Sequence, residues 1–281
     1  MKIAFSKLQT LSCDFVVPKE ECPIPREELA RMLGRSKTAL FPNAILFPEI
    51  NTLPDGESIC GMSAYDYHGS SCSPSGEAVR AAGAYFRTQG MVCQSTARLL
   101  CDGQIYSLSF DEENPEQISV TLPSPCFDTH IAPHTQVQPL GQKLVLDGRG
   151  YSVYSLTVDR PYTVLLEFDT PLELLNPIKT ALSLLRYSLY SKGEAIVFAE
   201  ITSSTSLSAR IFDTHEGELS ASSGGAAAAV AVAQMCGLLP IGIALEVQMR
   251  GGSLSLTSEG IGAPFVSKGD AHLCFEGTID L

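Results

Sequence analysis

A segment of this sequence recurs at a fixed offset of 147 residues, and this repeat constrains the fold more than any other feature. The letters YDYH at positions 65–68 return as FDTH at 212–215, and serines at positions 73 and 75 return at 220 and 222. Each segment leads into an alanine-rich run, which ends at Gly90 in the first copy and at Gly237 in the second. Agreement of these positions at one offset predicts two copies of one structural unit. The alternative, a coincidence between two unrelated strand–turn–helix segments, stays open.

Each copy has the same predicted local structure. A strand carries the aspartate and the histidine, a turn rich in serine and glycine follows, and a helix begins at Ser75 or Ser222 as its N-cap. Gly90 and Gly237 are suited to end these helices. Alanine favours helix and allows close packing, so the two helices are expected side by side at the centre of the molecule. Their N-terminal ends would then face one cleft and attract a carboxylate or a phosphate.

The rest of the chain is rich in strand patterns. Further helices are predicted at 26–33 and 172–191, and turn signals occur at 54–56, 147–148 and 251–252. Alternating or β-branched runs predict strands at 2–5, 15–17, 44–47, 118–122, 143–146, 152–158, 163–168, 195–201, 244–249 and 254–256.

The length and the proline pattern indicate two domains. The chain has 281 residues, which suits two domains of about 100–150 residues each. A boundary is expected near Pro123 and Pro125, where a predicted strand ends. We therefore expect an N-terminal half at 1–123 and a C-terminal half at 124–267.

Composition excludes several classes of protein. Hydrophobic residues make up 44 % and charged residues 18 %, as in a globular protein, and the net charge of −12 argues against nucleic acid as a partner. The longest apolar run, 226–233, is too short to span a membrane, and the start MKIAFSKLQT has no signal-peptide pattern. Nine cysteines with irregular spacing, without a CxxC pair, predict reduced thiols in a cytoplasmic protein and no zinc site.

Five segments, in order, stand out along the chain: LSCDFVV at 11–17, HGS through SGEAVR at 68–80, GELSAS through the alanines at 217–229, RGGSL at 250–254 and FEGTI at 275–279. Together they resemble the diaminopimelate epimerase family over nearly the whole chain. The resemblance implies an α+β fold of two pseudo-symmetric halves, each a β-sheet wrapped around a central helix, with an active-site cleft between them and a closing strand, 268–281, that returns to the first half. It also implies isomerase chemistry without a cofactor, in which one cysteine thiolate removes the α-proton and a second thiol reprotonates the opposite face.

The sequence departs from the family at both cysteines, which are Ser75 and Ser222 here. A thiol can be tuned to a thiolate, whereas a hydroxyl needs an adjacent base or acts as a hydrogen-bond donor. Further departures are Cys13 and Asp66 in place of asparagines, RPY at 160–162 in place of Asn-Pro-His, DT at 213–214 in place of Glu-Arg, and SGEA at 75–78 in place of the CGNG loop.

These patterns give a set of candidate site residues. Helix capping is the structural alternative for the two serines, and His68, His215 and Glu77 are candidate bases because histidine and perturbed carboxylates transfer protons near neutral pH. In related phenazine-biosynthesis isomerases, which share the two-half fold, a glutamate shuttles a proton. The catalytic candidates are Ser75, Ser222, His68, His215 and Glu77, and the substrate-binding candidates are Cys13, Asp66, Gly76, Asp213, Glu218, Ser223 and Gly224.

Three functions follow. The first is a divergent cofactor-independent isomerase, of racemase or epimerase type, that moves a proton on an amino acid or small carboxylic acid. The second is a catalytically silent relative that binds a carboxylate ligand or a protein partner. The third is a diaminopimelate epimerase of lysine biosynthesis whose two cysteines were substituted. No metal, nucleic acid or membrane partner is expected, and a homodimer is left open.

Overall fold

The computed structural model divides the chain into two compact units. It describes residues 1–20, 22–35, 40–127, 141–146, 148–167, 171–186 and 195–281. Unit 1 comprises Met1–Thr121 and Lys268–Leu281, and unit 2 comprises Leu122–Ser267. Each unit is a mostly antiparallel sheet with helices packed on it, so the predicted α+β class is confirmed. None of the described helices has both the length and the apolar character needed to cross a bilayer.

Unit 1 carries eight strands in one hydrogen-bonded order, β18-β1-β2-β3-β4-β6-β7-β8, with the short β5 also paired to β4. The β2–β3 and β4–β6 pairs are parallel and the others are antiparallel. The elements are β1 Lys2–Thr10, β2 Cys13–Pro18, α1 Arg26–Leu33, β3 Ala44–Thr52, β4 Ser58–Tyr65, β5 Ser71–Cys72, α2 Gly76–Thr88, β6 Thr96–Cys101, β7 Gln104–Phe110, β8 Gln117–Thr121 and β18 His272–Asp280.

Unit 2 repeats this arrangement in the order β9-β10-β11-β12-β13-β15-β16, with the short β14 paired to β13. Two pairs are again parallel, β11 with β12 and β13 with β15. They correspond to the parallel pairs β2–β3 and β4–β6 of unit 1. The elements are β9 Gln142–Leu146, β10 Arg149–Thr157, β11 Pro161–Glu167, α3 Pro177–Leu184, β12 Ala195–Ser203, β13 Ser206–Asp213, β14 Gly217–Leu219, α4 Ser223–Met235, β15 Leu245–Met249 and β16 Gly252–Thr257; β17, Val266–Asp270, runs from unit 2 into unit 1.

The predicted repeat is confirmed by helices α2 and α4. Both have 13 residues, and both their first and their last residues are 147 positions apart. Gly90 comes after α2 and Gly237 comes after α4. Each of these glycines has a φ near +70°, in the left-handed region that glycine adopts at little cost. In both copies the next N–H donates five residues back, from Met91 to Phe86 and from Leu238 to Ala233, as in a Schellman ending.

The two long helices are the central elements of their units. In α2, every residue from Gly76 to Phe86 is buried, and in α4 every residue from Ser223 to Gln234 is buried. A helix that is apolar on all sides must be enclosed by other elements, and the small alanine and glycine side chains of α4 allow this close packing. The N-terminal end of each helix is therefore held rigidly by its own sheet.

Two details of the sequence-based prediction are wrong. The histidines do not lie on strands, because β4 ends at Tyr65 and β13 at Asp213, and His68 and His215 lie in the turns that follow. The single helix predicted at 172–191 is instead a 3-10 turn at Leu172–Leu174 followed by α3. Pro177 cannot continue a helix from before it, but it suits a first helical turn, and the side chain of Asn176 caps that turn.

Parts of three predictions lie outside the described residues. These are positions 187–191 of the predicted helix, position 147 of a predicted turn and position 168 of a predicted strand.

Candidate functional site

The aspartate of each repeat organises the turn before the helix. The Oδ1 atom of Asp66 accepts the backbone N–H groups of His68, at 2.9 Å, and Ser70, at 2.8 Å. The Oδ1 atom of Asp213 accepts those of His215, at 2.7 Å, and Glu216, at 3.0 Å. Aspartate commonly supports turns in this way, so both aspartates have a structural task in addition to their predicted contact with a substrate.

The two candidate histidines are exposed. The side chain of His68 packs on the ring of Tyr67, with the ring centroids 4.2 Å apart, and the described hydrogen bonds of both histidines are those of their backbone N–H groups. The structure thus brings Asp66 together with His68, and Asp213 with His215, only through the turn. Their role in proton transfer stays a prediction.

The N-terminal end of α4 carries a row of three polar side chains. The Oγ atom of Ser222 caps the helix by accepting the N–H of Gly225 at 3.0 Å. The hydroxyl oxygen of Tyr162 lies 3.4 Å from the same Oγ atom and donates its own hydrogen to Oδ1 of Asp159 at 2.8 Å. Tyr162 and Ser222 are buried, so this row lies in a medium of low polarity, where hydrogen bonds are strong.

Tyr162 is held in its neutral, proton-bearing form. Burial raises the pKa of Tyr162, and the negative charge of Asp159 raises it further, against the opposing effect of the positive charge of Arg160. The neutral hydroxyl can accept a hydrogen bond from Ser222 while it donates one to Asp159. The three groups can therefore pass a proton from Ser222 through Tyr162 to the carboxylate.

Gly224 makes room for this row. A Cβ atom at Gly224 would lie 2.1 Å from Oδ1 of Asp159 and 2.4 Å from the hydroxyl oxygen of Tyr162. A larger residue there would displace the carboxylate, so the second residue of α4 must be glycine in this arrangement. The neighbouring Ser223 is fully buried, and its Oγ atom lies 3.5 Å from that of Ser267.

An ion pair between Arg160, which precedes β11, and Asp213, the last residue of β13, flanks the row. The Nη1 atom of Arg160 donates to Oδ2 of Asp213 at 2.6 Å, and its guanidinium lies over the ring of Tyr162 at 5.6 Å. Burial would raise the pKa of the Asp213 carboxyl, but the N–H bonds of its turn and the charge of Arg160 lower it overall. Burial likewise opposes the charge of Arg160, yet Tyr162 and Asp213 raise its pKa overall. Both groups therefore stay ionised.

In unit 1, the carboxylate near the N-terminal end of the central helix has a different position in the sequence from Asp159 of unit 2. At the offset of 147, Phe15 corresponds to Tyr162, and Glu77 corresponds to Gly224. Phe15 has no hydroxyl, whereas the side chain of Glu77 is 2 % exposed on the first turn of α2. Each helix N-terminus is thus accompanied by one carboxylate, supplied by the helix in unit 1 and by the loop before β11 in unit 2.

Three of the predicted residues in unit 1 have clear structural positions. Ser75 caps α2 by accepting the N–H of Ala78 at 3.2 Å, and Gly76 is the first residue of that helix. Cys13 is buried at the start of β2, opposite Thr10 of β1. A fully buried arginine, Arg80, lies one turn beyond Glu77 and donates from Nε to the carbonyl oxygen of Ile118 at 3.1 Å.

Glu218 is part of an arginine cluster in unit 2. Its Oε1 atom accepts Nε of Arg210 at 2.7 Å, its Oε2 atom accepts Nη2 of Arg210 at 3.0 Å, and Nη1 of Arg250 lies 3.1 Å from Oε2. Burial opposes ionisation, but the two arginines lower the pKa of Glu218 overall. The carboxylate of Glu218, a substrate-binding candidate, therefore forms ion pairs within the protein.

Sequence reasoning missed Asp159 and Tyr162 as site residues. The signal was present, because Tyr162 occupies the histidine position of the family's Asn-Pro-His segment and Asp159 precedes that segment. A metal site is not indicated, since no three His, Cys, Asp or Glu side chains come together in the ranges that the structure describes.

Sequence comparison with known proteins finds similarity along nearly the whole chain. A diaminopimelate epimerase from Blochmanniella floridana is 26 % identical over 99 % of both chains, and further diaminopimelate epimerases are 24–25 % identical over the whole chain. The chain is similar over nearly its whole length to diaminopimelate epimerases. No protein-family model matches it.

Solved structures share the fold of this chain. A phenazine biosynthesis protein of the PhzF family from Bacillus anthracis covers all of both chains with a TM-score of 0.65 at 12 % identity. A hydroxyproline epimerase from Agrobacterium vitis, with trans-4-hydroxy-L-proline bound, covers 100 % of this chain and 93 % of its own with a TM-score of 0.69 at 9 % identity. The pseudo-symmetric fold is confirmed, and the relatives point to an isomerase of epimerase or racemase type.

Proposed function

We propose that this chain is a cofactor-independent isomerase that moves a proton on an amino acid or a small carboxylic acid. The observation that carries the proposal is the row Ser222–Tyr162–Asp159 at the N-terminal end of α4. A serine that takes the place of a catalytic thiol needs a base to accept its proton. The row supplies one, because Tyr162 connects the hydroxyl of Ser222 to the carboxylate of Asp159. The names of the relatives support the substrate class, because diaminopimelate and hydroxyproline are both amino acids.

In the proposed step, the substrate carboxylate binds at the positive N-terminal end of α4. Ser222 takes the proton from the α-carbon while its own hydroxyl proton passes to Tyr162, and the phenolic proton of Tyr162 passes to Asp159. The C–H bond breaks, its electron pair stays on the substrate as a carbanion, and the aspartate ends as a neutral carboxylic acid. The separation of 3.4 Å between the two hydroxyl oxygens must shorten when substrate binds, as is common for catalytic hydrogen bonds.

A second group must return a proton to the substrate carbon. Glu77 is the buried carboxylate on the first turn of α2, the helix that corresponds to α4. We propose Glu77 for this role, with Ser75 beside it as the cap of the helix.

Hydrogen exchange in deuterium oxide tests the proposal directly. We expect proton NMR of a panel of amino and small carboxylic acids to lose an α- or γ-proton signal for at least one compound when the protein is present. Tyr162→Phe removes the middle hydroxyl of the row and should lower the exchange rate at least about 100-fold, in line with the usual contribution of general acid–base catalysis.

The control is Tyr154→Phe, which removes a hydroxyl that contacts Cys236 elsewhere in unit 2 and should leave exchange unchanged. Unchanged spectra for every acid would reject the isomerase, and equal rates for both variants would reject the relay.

A silent binding protein is the second candidate. It is favoured by the hydroxyls at both cysteine positions and by the structural bonds of Asp66 and Asp213 in their turns. Its signature would be an acid that raises the melting temperature of the protein without any exchange of its protons. The third candidate, a diaminopimelate epimerase with substituted cysteines, predicts that Ser75→Cys with Ser222→Cys gains activity on diaminopimelate; continued inactivity would end that idea.

A further inference from the structure

Unit 2 contains a pocket that the proposed reaction does not use. It is a pocket of about 760 Å³, within the range of about 300–1,000 Å³ typical of small-molecule sites. Residues of β12, β13 and β15 and of the 3-10 turn at 172–174 line it, among them Glu173, Glu200, Ser208, Arg210, Gln248 and Arg250.

This pocket lies on the face of the sheet that is turned away from α4. Arg210 alternates on β13 with Ile211, whose side chain packs against Gly225 of α4. Successive side chains of a strand point to opposite faces, so the pocket and the row at Ser222 are separated by the sheet.

One side of the pocket carries a surplus positive charge. Arg210 and Arg250 share one carboxylate, that of Glu218, so two positive charges meet one negative charge. Arg210 is fully engaged in structure, since it also donates from Nη1 to the carbonyl oxygen of Leu175 at 2.8 Å. The side chain of Arg250 is 60 % exposed and contacts Glu218 through Nη1, which leaves most of its five N–H donors accessible to a ligand.

The other side carries negative charge. Glu200 accepts the N–H of Leu172 through Oε2 at 2.8 Å, and Glu173 is the next residue along the turn. Glu200 lies opposite Ser208, and Ser208 lies opposite Gln248, so two strand spacings, about 10 Å, separate Glu200 from the strand that leads to Arg250. Ser208 and Gln248 therefore lie between Glu200 and the strand that leads to Arg250. Arg210 lies nearer to Glu200, because its Nη1 atom donates to the carbonyl oxygen of Leu172 at 3.3 Å.

We propose that this pocket binds a small zwitterion, with its carboxylate on Arg250 and its ammonium group on Glu200. Opposite charges fixed on a rigid sheet select a molecule that carries both charges, because a single-charge ligand leaves one side of the pocket without a partner. A free amino acid and a short peptide share this chemistry. The proposal does not depend on isomerase activity.

Calorimetric titration of the full chain tests the pocket with glycine and 6-aminohexanoate as free amino acids and glycylglycine as the peptide. At least one zwitterion should bind at least about 10-fold more tightly than acetate or methylamine. Arg250→Gln and Glu200→Gln should each raise its Kd about 10- to 100-fold, the usual effect of losing a charged hydrogen bond.

Two control variants distinguish binding in this pocket from binding at the row beside α4. Arg149→Gln removes an exposed charge of unit 2 outside the pocket and should leave the Kd unchanged. Tyr162→Phe alters the row at α4 and should also leave it unchanged, whether or not the chain is an isomerase. Absence of zwitterion binding would overturn the proposal. So would a Kd that responds to Tyr162→Phe and not to Arg250→Gln in a variant with unchanged circular dichroism.

Discussion

Single side chains decide how unit 2 differs from unit 1. Tyr162 adds one hydroxyl to the aromatic position that Phe15 fills in the first copy, and that hydroxyl connects Ser222 to Asp159. Gly224 leaves the space that this connection needs, whereas Glu77 stands at the corresponding place in α2. Two copies of one backbone can therefore carry different chemistry, because the residue at this position of the helix, glycine or glutamate, decides which carboxylate lies beside its N-terminal end.

The ion pair of Asp213 should make stability depend on pH in a defined direction. The folded-state pKa of Asp213 lies below its ordinary value of 3.8, so its contribution is complete above that value and is lost as the pH falls through the lower folded pKa. We expect Asp213→Asn to unfold at lower denaturant concentration than the parent protein at pH 6, and the difference to shrink as the pH falls below about 4.

Asp66→Asn is the matched control, since Asp66 makes the same type of turn bonds in unit 1. The side chain of Arg160 is 37 % exposed, so solvent screening keeps the ion-pair contribution small. A difference between parent and Asp213→Asn that grows toward low pH would contradict the assignment.

At the scale of elements, the two central helices end in the same way, with the same backbone conformation and the same hydrogen-bond pattern. Gly90 and Gly237 have the same φ, near +70°, and a Cβ atom at either would meet no neighbour within 4 Å. A substitution there changes backbone strain without changing packing. The same substitution at Gly90 and at Gly237 is therefore expected to change the free energy of unfolding by the same amount, although the two glycines lie in different units.

Gly90→Ala and Gly237→Ala should each lower the free energy of unfolding by about 1–2 kcal/mol, the cost of a left-handed residue with a side chain. Chemical denaturation of each variant measures this effect. Gly90→Asn and Gly237→Asn are the controls and should cost less, because asparagine tolerates this conformation. A clearly unequal cost of the two alanine variants would show that the endings are not equivalent.

At the scale of the whole molecule, the end of the chain completes the first unit. Strand β18 pairs with β1 from Lys2 to Gln9, so residues almost the full length of the chain apart form one edge of the sheet of unit 1. Gly277 allows this approach, since a Cβ atom there would lie 3.1 Å from the ring of Phe5. Unit 1 therefore cannot complete its sheet until residues 272–280 have been synthesised.

A chain that ends at Ala271 should lose hydrogen-exchange protection throughout β1, because that strand would lose the backbone partners that β18 supplies. A chain that ends at Ile279 removes two terminal residues and should keep the protection of β1 from Ile3 onward. Equal protection of β1 in the parent and in the chain that ends at Ala271 would contradict the pairing.

The sequence alone determined the repeat, the capped central helices and most strands, because these depend on local spacing: Ser75 and Ser222 begin helices, and Gly90 and Gly237 end them, for reasons that lie within a few residues. It also placed α1 at Arg26–Leu33 without error. Only the tertiary structure showed that Tyr162 and Asp159 lie next to Ser222, although Tyr162 and Ser222 are 60 positions apart in the chain. It also showed the ion pair between Arg160 and Asp213. Those contacts depend on which strands lie side by side, and local periodicity carries no information about the distance between residues far apart in the chain.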